Sequence, residues 1–274
     1  MKKILVTGSS GYIGSHLCSM LADKYIVHGL DIEDPIVEIE KFYKIDITKP
    51  FIFDNIEYDA VVHLAALVNV GESERRPISY YITNLNGTMN VINKLKTKNF
   101  IFSSTGAAQF CESVYGISKR GAEDIVKSYS ENADMNYTIF RFYNVIGSSV
   151  TNPKNPDGLF YNLLRAKETG LFNIYGDDYD TKDGTCVRDY LHVIEVCNSI
   201  MLAIEKPSNS IECLGHGVGY TVKEMVDIFK LVNNCNFDVE YVERRKGDIG
   251  YYVLDNVSPY MKNMFSIVDL CKIV

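Results

Sequence analysis

No apolar run in the chain approaches the ~20 residues that a membrane-spanning helix needs. The first apolar stretch, Ile4-Leu5-Val6, breaks at Thr7-Gly8, too early for a signal-peptide core, and no small-residue cleavage site follows. A cytoplasmic protein is expected. An excess of positive charge is also missing. The 28 Lys and Arg face 35 Asp and Glu, for a formal charge of −7, which gives no support to a nucleic-acid partner held by phosphate neutralisation. Local basic patches for a small anionic ligand stay open. There is no Cys-x-x-Cys pair. The seven cysteines are odd in number and scattered, as for free thiols in a reducing compartment rather than a disulfide framework. The five histidines show no metal-ligand spacing, so no metal is expected. His63, inside an apolar run, reads as a packed or locally bonded imidazole. Repeats and low-complexity segments are absent. What is present is an ordinary globular composition, 46% hydrophobic and 23% charged over 274 residues, enough for one domain or two closely joined ones.

Through the first half, short apolar runs alternate with helical patterns. Ile4–Thr7, Ile26–Leu30, Ala60–Ala65, Phe100–Phe102 and Tyr137–Tyr143 read as buried strands. Between them, Gly11–Lys24, Ser79–Lys96 and Ser113–Ser130 read as helices; in the first, Ile13, Leu17 and Leu21 keep helical spacing. Strict alternation of this kind predicts an α/β fold, a Rossmann-type doubly wound parallel sheet with right-handed crossovers. The turn-rich stretch Asn152–Gly158 marks a change of character, and the remainder reads as a smaller α+β substrate-binding region.

Three glycines, Gly8, Gly11 and Gly14, lie between the first strand and the first helix, flanking Tyr12 and Ile13. A tight turn needs positive φ, a phosphate needs backbone without a Cβ in the way, and a helix N-terminus offers free N–H groups to an anion. Asp31 ends the next strand 17 residues after Gly14. A carboxylate there accepts from ribose hydroxyls and repels a 2′-phosphate. The turn therefore predicts the pyrophosphate site of a nicotinamide dinucleotide, NAD rather than NADP.

Tyr115 and Lys119 form Tyr-x-x-x-Lys, which one helix face brings together. An ammonium beside a phenol, helped by the positive nicotinamide ring, favours phenolate and makes a base near neutral pH. The pair alone is common on helices. It gains weight from Ser103-Ser104-Thr105, hydroxyls at the carboxyl edge of the sheet, where ligands bind in such folds.

Taken together, Thr7-Gly8-x-x-Gly11-Tyr12-Ile13-Gly14, the Ser-Ser-Thr strand end and Tyr-x-x-x-Lys resemble an extended short-chain dehydrogenase/reductase. The segments His63–Ser73, Asn84–Thr88 and Ile174–Val193 narrow the resemblance to the UDP-glucose 4-epimerases. The last, with its Asp178-Tyr-Asp-Thr-Lys-Asp-Gly-Thr185 insert, is the most specific. The resemblance covers nearly the whole chain. It implies redox epimerisation at C4 of a UDP-hexose, UDP-glucose or UDP-galactose, through a transient 4-keto sugar with NAD retained. Tyr115 would take the C4 hydroxyl proton, Thr105 would bond that oxygen, and Lys119 would hold the nicotinamide ribose.

By the same resemblance Asp46 and Ile47 lie near the adenine, and Leu64, Ala65, Ala66, Asn84, Ser103 and Tyr143 line the cofactor. Asn144 contacts the nucleotide-sugar phosphates and Tyr175 the uracil. Arg188 and Arg245 take the UDP phosphates, as guanidinium geometry suits. Asp248, in Arg245-Lys246-Gly247-Asp248, takes the uridine ribose. Tyr252 is the size gate beside the sugar C2, which favours UDP-glucose and UDP-galactose over their N-acetyl forms. The NAD-binding domain is expected at 1–150 with 186–213 and the nucleotide-sugar region at 151–185 with 214–274. A homodimer is expected through helices Ser79–Lys96 and Ser113–Ser130.

The chain departs from the family in four places. Only nine residues separate Thr105 from Tyr115, where a longer, Pro-containing loop is usual. Val68 stands where a lysine is often found, Gly158 replaces an asparagine, and the last helices read as trimmed. Other extended members stay open: a dehydratase, although Gly106-Ala107-Ala108 offers no acid for elimination, a decarboxylase or a UDP-glucuronate epimerase. A non-catalytic NAD-sensing regulator is the alternative of another class.

Overall fold

A computed structural model describes residues 1–245 and 248–273. The chain forms two compact units, Met1–Phe142 with Val196–Cys213, and Tyr143–Glu195 with Leu214–Val274. In unit 1 the strands are β1 (Lys3–Thr7), β2 (Ile26–Asp31), β3 (Lys41–Lys44), β4 (Glu57–Tyr58), β5 (Ala60–His63), β6 (Lys96–Thr97), β7 (Asn99–Thr105) and β8 (Asn136–Phe142). The helices between them are α1 (Tyr12–Leu21), α2 (Val70–Arg75), α3 (Pro77–Tyr81), α4 (Gly87–Lys94) and α5 (Val114–Asn132). The chain then enters unit 2 as β9 (Asn144–Ile146), α6 (Leu159–Thr169), β10 (Leu171–Tyr175) and β11 (Val187–His192). It returns to unit 1 along α7 (Val193–Glu205) and β12 (Asn209–Leu214). Unit 2 ends with β13 (Gly219–Thr221), α8 (Val222–Val232), β14 (Asp238–Val242), β15 (Tyr251–Tyr252) and α9 (Ile267–Leu270).

The main sheet has the order β12-β8-β7-β5-β1-β2-β3. From β3 to β8 every neighbouring pair is parallel. Strands such as β1 and β5 are apolar and buried on both faces, as a covered parallel sheet requires. Leu5, Val61, Phe100, Phe102 and Ile139 of the sheet pack with Val91 and Ile92 of α4 and Ala122 and Val126 of α5. The chain runs outward through β2 and β3, then returns to the other side of β1 at β5. That reversal is the switch point at which such sheets take ligands. Thr7 pairs with both Leu30 and His63, and His63 pairs with Phe102. One sheet edge therefore carries the Gly8 turn, Asp31, Leu64 and the Ser103–Thr105 strand end.

The predicted helix Ser79–Lys96 is not continuous. It starts at Pro77, with proline at its first position. A π-helical turn at Ile82–Asn86 divides α3 from α4. The extra residue of a π turn belongs here to a segment that buries Asn84 completely.

Unit 2 sets β11 parallel to β9 and β15 and antiparallel to β13, and pairs β10 with β14. Phe160, Phe172, Tyr190, Met225 and Phe229 lie in its core. Helix α8 opens on a capping box between Thr221 and Glu224. The units divide at 142/143 and 195/196, not at 150 and 186, because β9 and β11 find their ladder partners in unit 2. Among the described residues no helix is long and apolar enough to cross a membrane.

Candidate active site

The first turn after β1 is shaped by what its glycines exclude. Gly8 has φ +73°, and a Cβ there would lie 2.7 Å from the Ala65 amide nitrogen. A Cβ on Gly14 would lie 2.0 Å from the Gly8 carbonyl oxygen. Gly8 N donates to Leu30 O at 2.8 Å and Gly11 N to Gly8 O at 3.1 Å. Gly11 is the cap residue of α1, and no side chain caps that helix start, the arrangement that suits an anion. Asp31 closes the turn from β2. Its Oδ2 accepts from Ser10 N at 2.9 Å, while Oδ1 accepts from Ile32 N and Glu33 N at 2.7 and 3.1 Å.

Asp46 accepts from Thr48 N at 2.9 Å and from Thr48 Oγ1 at 2.6 Å, and the hydroxyl bond holds its carboxyl below the usual range. Ile47 is buried against Gly87, where a Cβ would meet Ile47 Cδ1 at 2.7 Å. Leu64 N donates to Thr7 O and Ala65 N to Thr7 Oγ1. Asn84 accepts from Leu67 N at 2.9 Å and donates to Leu67 O and Ser118 Oγ at 3.0 and 2.9 Å. The loop after β5 is thereby tied to the π turn and to α5. His63 is a satisfied core histidine. Its Nδ1 meets Thr7 Oγ1 at 2.6 Å and its Nε2 meets Thr88 Oγ1 at 3.0 Å. Burial pushes it down to about 3.

The strand end of β7 and the start of α5 hold the acid–base groups. Ser103 Oγ donates to His63 O at 3.0 Å and Ser104 Oγ to Glu123 Oε1 at 2.5 Å. Thr105 Oγ1 accepts from Ala107 N at 3.2 Å, and its hydroxyl pulls the pKa of the Tyr115 phenol down. Ser113 caps α5, accepting from Gly116 N at 3.0 Å. Two residues of α2 complete that helix start: Glu74 Oε1 accepts from Val114 N at 2.9 Å, and Ser73 Oγ accepts from Tyr115 N at 3.1 Å. The Tyr80 ring stands edge-on to Tyr115 at 6.4 Å. Lys119 is buried with Nζ 4.3 Å over the Phe102 ring.

The electrostatics correct one expectation. Lys119 does not depress Tyr115 in the protein chain. Burial pushes Tyr115 up to about 12, opposed by the Thr105 hydrogen bond. Burial also pulls Lys119 down to about 7, opposed by the Glu123 charge. Desolvation outweighs the Thr105 hydroxyl at Tyr115 and the Glu123 charge at Lys119.

In unit 2 the residues expected to meet the nucleotide sugar fall into pairs. The Tyr143 and Tyr252 rings stack at 4.6 Å and 14°. Asn144 Nδ2 donates to Asp189 O at 2.9 Å. The Arg245 guanidinium lies 3.8 Å over the Tyr175 ring, and Arg188 Nη2 is 3.7 Å from Asp248 Oδ1. Lys246 and Gly247, which complete that motif, lie outside the described residues. The strand that carries Arg188 is braced by two buried carboxylates. Asp189 accepts from His216 N and Gly217 N at 2.7 and 2.8 Å. Glu195 accepts from Phe265 N at 2.7 Å and meets His216 Nε2 at 2.9 Å. Sequence reasoning missed these two, together with Ser73, Glu74 and Glu123. Only Glu123, at helical spacing from Lys119, carried a signal along the chain.

A doubly wound parallel sheet, a glycine turn closed by a strand-end aspartate, and a Thr–Tyr–Lys group at the next strand end define a nucleotide-dependent oxidoreductase fold of the short-chain type. Residues 4–213 match the NAD dependent epimerase/dehydratase family, and the chain belongs to it. It is 33% identical over 294 residues to the UDP-glucose 4-epimerase of Haemophilus influenzae, covering 90% of this chain and 87% of that one. The crystal structure of the UDP-glucose 4-epimerase of Stenotrophomonas maltophila, with bound NAD and formylated UDP-arabinopyranose, superposes with a TM-score of 0.86 at 25% identity. That match covers 99% of this chain and 96% of the other. The Thermotoga maritima UDP-glucose 4-epimerase with UDP-glucose gives a TM-score of 0.78 at 28% identity, over 92% and 89% of the two chains.

Proposed function

We propose that this chain is an NAD-dependent 4-epimerase of UDP-hexoses, interconverting UDP-glucose and UDP-galactose through a 4-keto sugar. The observation that carries the reading is the meeting of Thr105, at the end of β7, with the buried Tyr115 of α5, one helical turn from the buried Lys119. The residues fit the cofactor. The Gly8–Gly14 turn is a cradle that a Cβ at Gly8 or Gly14 would fill, and Asp31 stands at the end of β2. The turn with Tyr12 and Ile13 takes the pyrophosphate, Asp31 the adenosine ribose, and Asp46 and Ile47 the adenine side. Leu64, Ala65, Ala66, Asn84, Ser103 and Tyr143 line the rest, and Lys119 holds the nicotinamide ribose. Bound there, NAD would supply hydride transfer from and back to C4 of the sugar, and the positive ring charge of its oxidised form would favour phenolate.

The protein's own part is proton transfer and orientation. Tyr115 takes the proton of the C4 hydroxyl and later returns it to the same oxygen. Thr105, beside that phenol, steadies the oxygen as it becomes a carbonyl. Burial keeps water from the phenol. The nucleotide contacts fall to Tyr175 for uracil, Arg188, Arg245 and Asn144 for the phosphates, and Asp248 for the uridine ribose, with Tyr252 as the gate on sugar size. Gly106, Ala107 and Ala108 follow Thr105, so the acid that a dehydratase needs is missing from that turn.

Exposed Ile78, Ile82, Met89 and Ile117 on α3 to α5 support a homodimer through those helices. Seven free thiols support a cytoplasmic site. The test is to incubate the purified protein with UDP-galactose and no added NAD. UDP-glucose is expected as product, and no conversion with or without NAD would overturn the reading.

A further inference from the structure

Helix α5 buries three ionisable side chains at successive turns of one face: Tyr115, Lys119 and Glu123. They are 9%, 2% and 0% exposed. The first two are the acid–base pair of the proposed reaction, and the third has no part in it as described. Yet Glu123 is held from two strands. Ser104 Oγ donates to Oε1 at 2.5 Å, and Arg141 forks onto both oxygens, Nε to Oε1 at 2.9 Å and Nη2 to Oε2 at 2.6 Å. This donor set suits a carboxylate, which only accepts. Ser104 adjoins Thr105, so one strand end meets both Glu123 and Tyr115.

Lys119 meets a different problem. Its amine is buried over the Phe102 ring, and a buried amine loses its proton unless a charge nearby compensates. His63 of β5 is held neutral. From α5 Lys119 faces Tyr115, and around the Glu123–Arg141 pair stand Cys213 of β12, with Glu212 beside it, and Cys111 of the loop before α5. Glu123 is the carboxylate whose charge acts on Lys119.

We propose that Glu123 is a positioning residue that acts through Lys119, keeping that buried side chain a cation on the catalytic face of α5. Ser104 and Arg141 fix its carboxylate for that purpose. The catalytic consequence rests on the functional reading above, whereas the effect on Lys119 does not. It agrees with the direction in which Glu123 moves Lys119, upward against burial.

The substitution Glu123→Gln keeps the volume and removes the charge. In protein carrying ¹³Cε-lysine, the Lys119 titration followed by NMR is expected to move down by about one pH unit or more. The basic limb of kcat against pH should move down with it, with KM for UDP-galactose within about twofold of the original. Glu123→Asp should restore most of both. Since Glu123→Gln leaves Arg141 uncompensated and can cost the fold, the Glu123→Gln/Arg141→Gln double variant is measured beside it. It is expected to move the Lys119 titration the same way. A purely structural staple would lower the melting temperature and leave the Lys119 titration and the basic limb in place. That result in either folded variant overturns the proposal. Should the unaltered protein fail to interconvert UDP-sugars while the Lys119 titration still shifts, the functional reading falls and the assignment of Glu123 stands.

Discussion

Thr105 stands close enough to Tyr115 for its hydroxyl to pull the phenol's pKa down, although only nine residues lie between them. A short 3₁₀ turn, Gly106–Gln109, makes this possible, with Ala107 N donating back to Thr105 Oγ1. The turn packs so closely on α5 that a Cβ on Gly116 would lie 2.7 Å from Ala107 O. The shortened loop therefore keeps the catalytic contact and removes only what a longer loop would add beyond it. Tyr115→Phe is expected to lower kcat by about 10²-fold or more, the usual scale for a lost proton-transfer group. Thr105→Val should cost about fivefold, since it removes one hydroxyl contact worth about 1 kcal/mol. Conversion of UDP-galactose in a coupled assay measures both, and full activity of Tyr115→Phe would remove tyrosine from the chemistry.

Lys119 should leave a mark on stability. Its folded value of about 7 lies below the ordinary 10.5. Between those pH values the unfolded chain holds a proton that the folded chain has released. Stability therefore rises with pH across that window, by up to about 1.4 kcal/mol per pH unit from this one group. Lys119→Met deletes the contribution. Urea melts of cofactor-free protein between pH 7.5 and 9.5 should show the original protein gaining on the variant as pH rises. A constant difference would mean that Lys119 stays charged throughout.

The central strands were legible because a covered parallel strand is apolar on both faces, and Ile4–Val6, Ala60–Val62 and Phe100–Phe102 are continuous apolar runs. β3 was not, since its Lys-Phe-Tyr-Lys sequence lies at the exposed sheet edge. The π turn had no local signal either, because the bonds of Asn84 go to Leu67 and Ser118, 17 and 34 residues away. Glu74 caps a helix 40 residues further along the chain, a partnership that only the fold creates. Spacing could put Tyr115 beside Lys119. It could not say how deeply the pair is buried, and burial is what reverses the expected direction of the Tyr115 shift.

The glycine turn makes a steric prediction. A Cβ on Gly14 would overlap the Gly8 carbonyl, a backbone atom that cannot swing aside as a side chain can. Gly14→Ala is expected to abolish NAD retention, read from the absorbance of nucleotide released by denaturing the purified protein. Asp31→Asn should be milder, weakening NAD by about tenfold, or about 1.4 kcal/mol, and narrowing its preference over NADP. Fluorescence titration of stripped protein with NADH and NADPH measures that ratio, and an unchanged ratio would dissociate Asp31 from the ribose.

Tyr252 offers a prediction about the sugar. Its ring is stacked on Tyr143 at 4.6 Å, nearly parallel, and its side chain is partly buried in β15 beside Arg188 of β11. A ring clamped in this way cannot easily turn aside, so under the proposed function it would set a fixed limit on the group carried at C2. Replacing it with a small residue removes most of a phenol and its partner's stacking surface. Tyr252→Cys is expected to raise kcat/KM for UDP-N-acetylglucosamine relative to UDP-galactose by about tenfold or more, within the range that apolar pocket size delivers. UDP-galactose turnover should fall only a few-fold, because its smaller C2 hydroxyl does not need the added space. Chromatographic assay of both substrates against both proteins decides the matter. If the ratio stays put while UDP-galactose is still turned over, Tyr252 does not gate the sugar, and discrimination at C2 has to be sought in another residue.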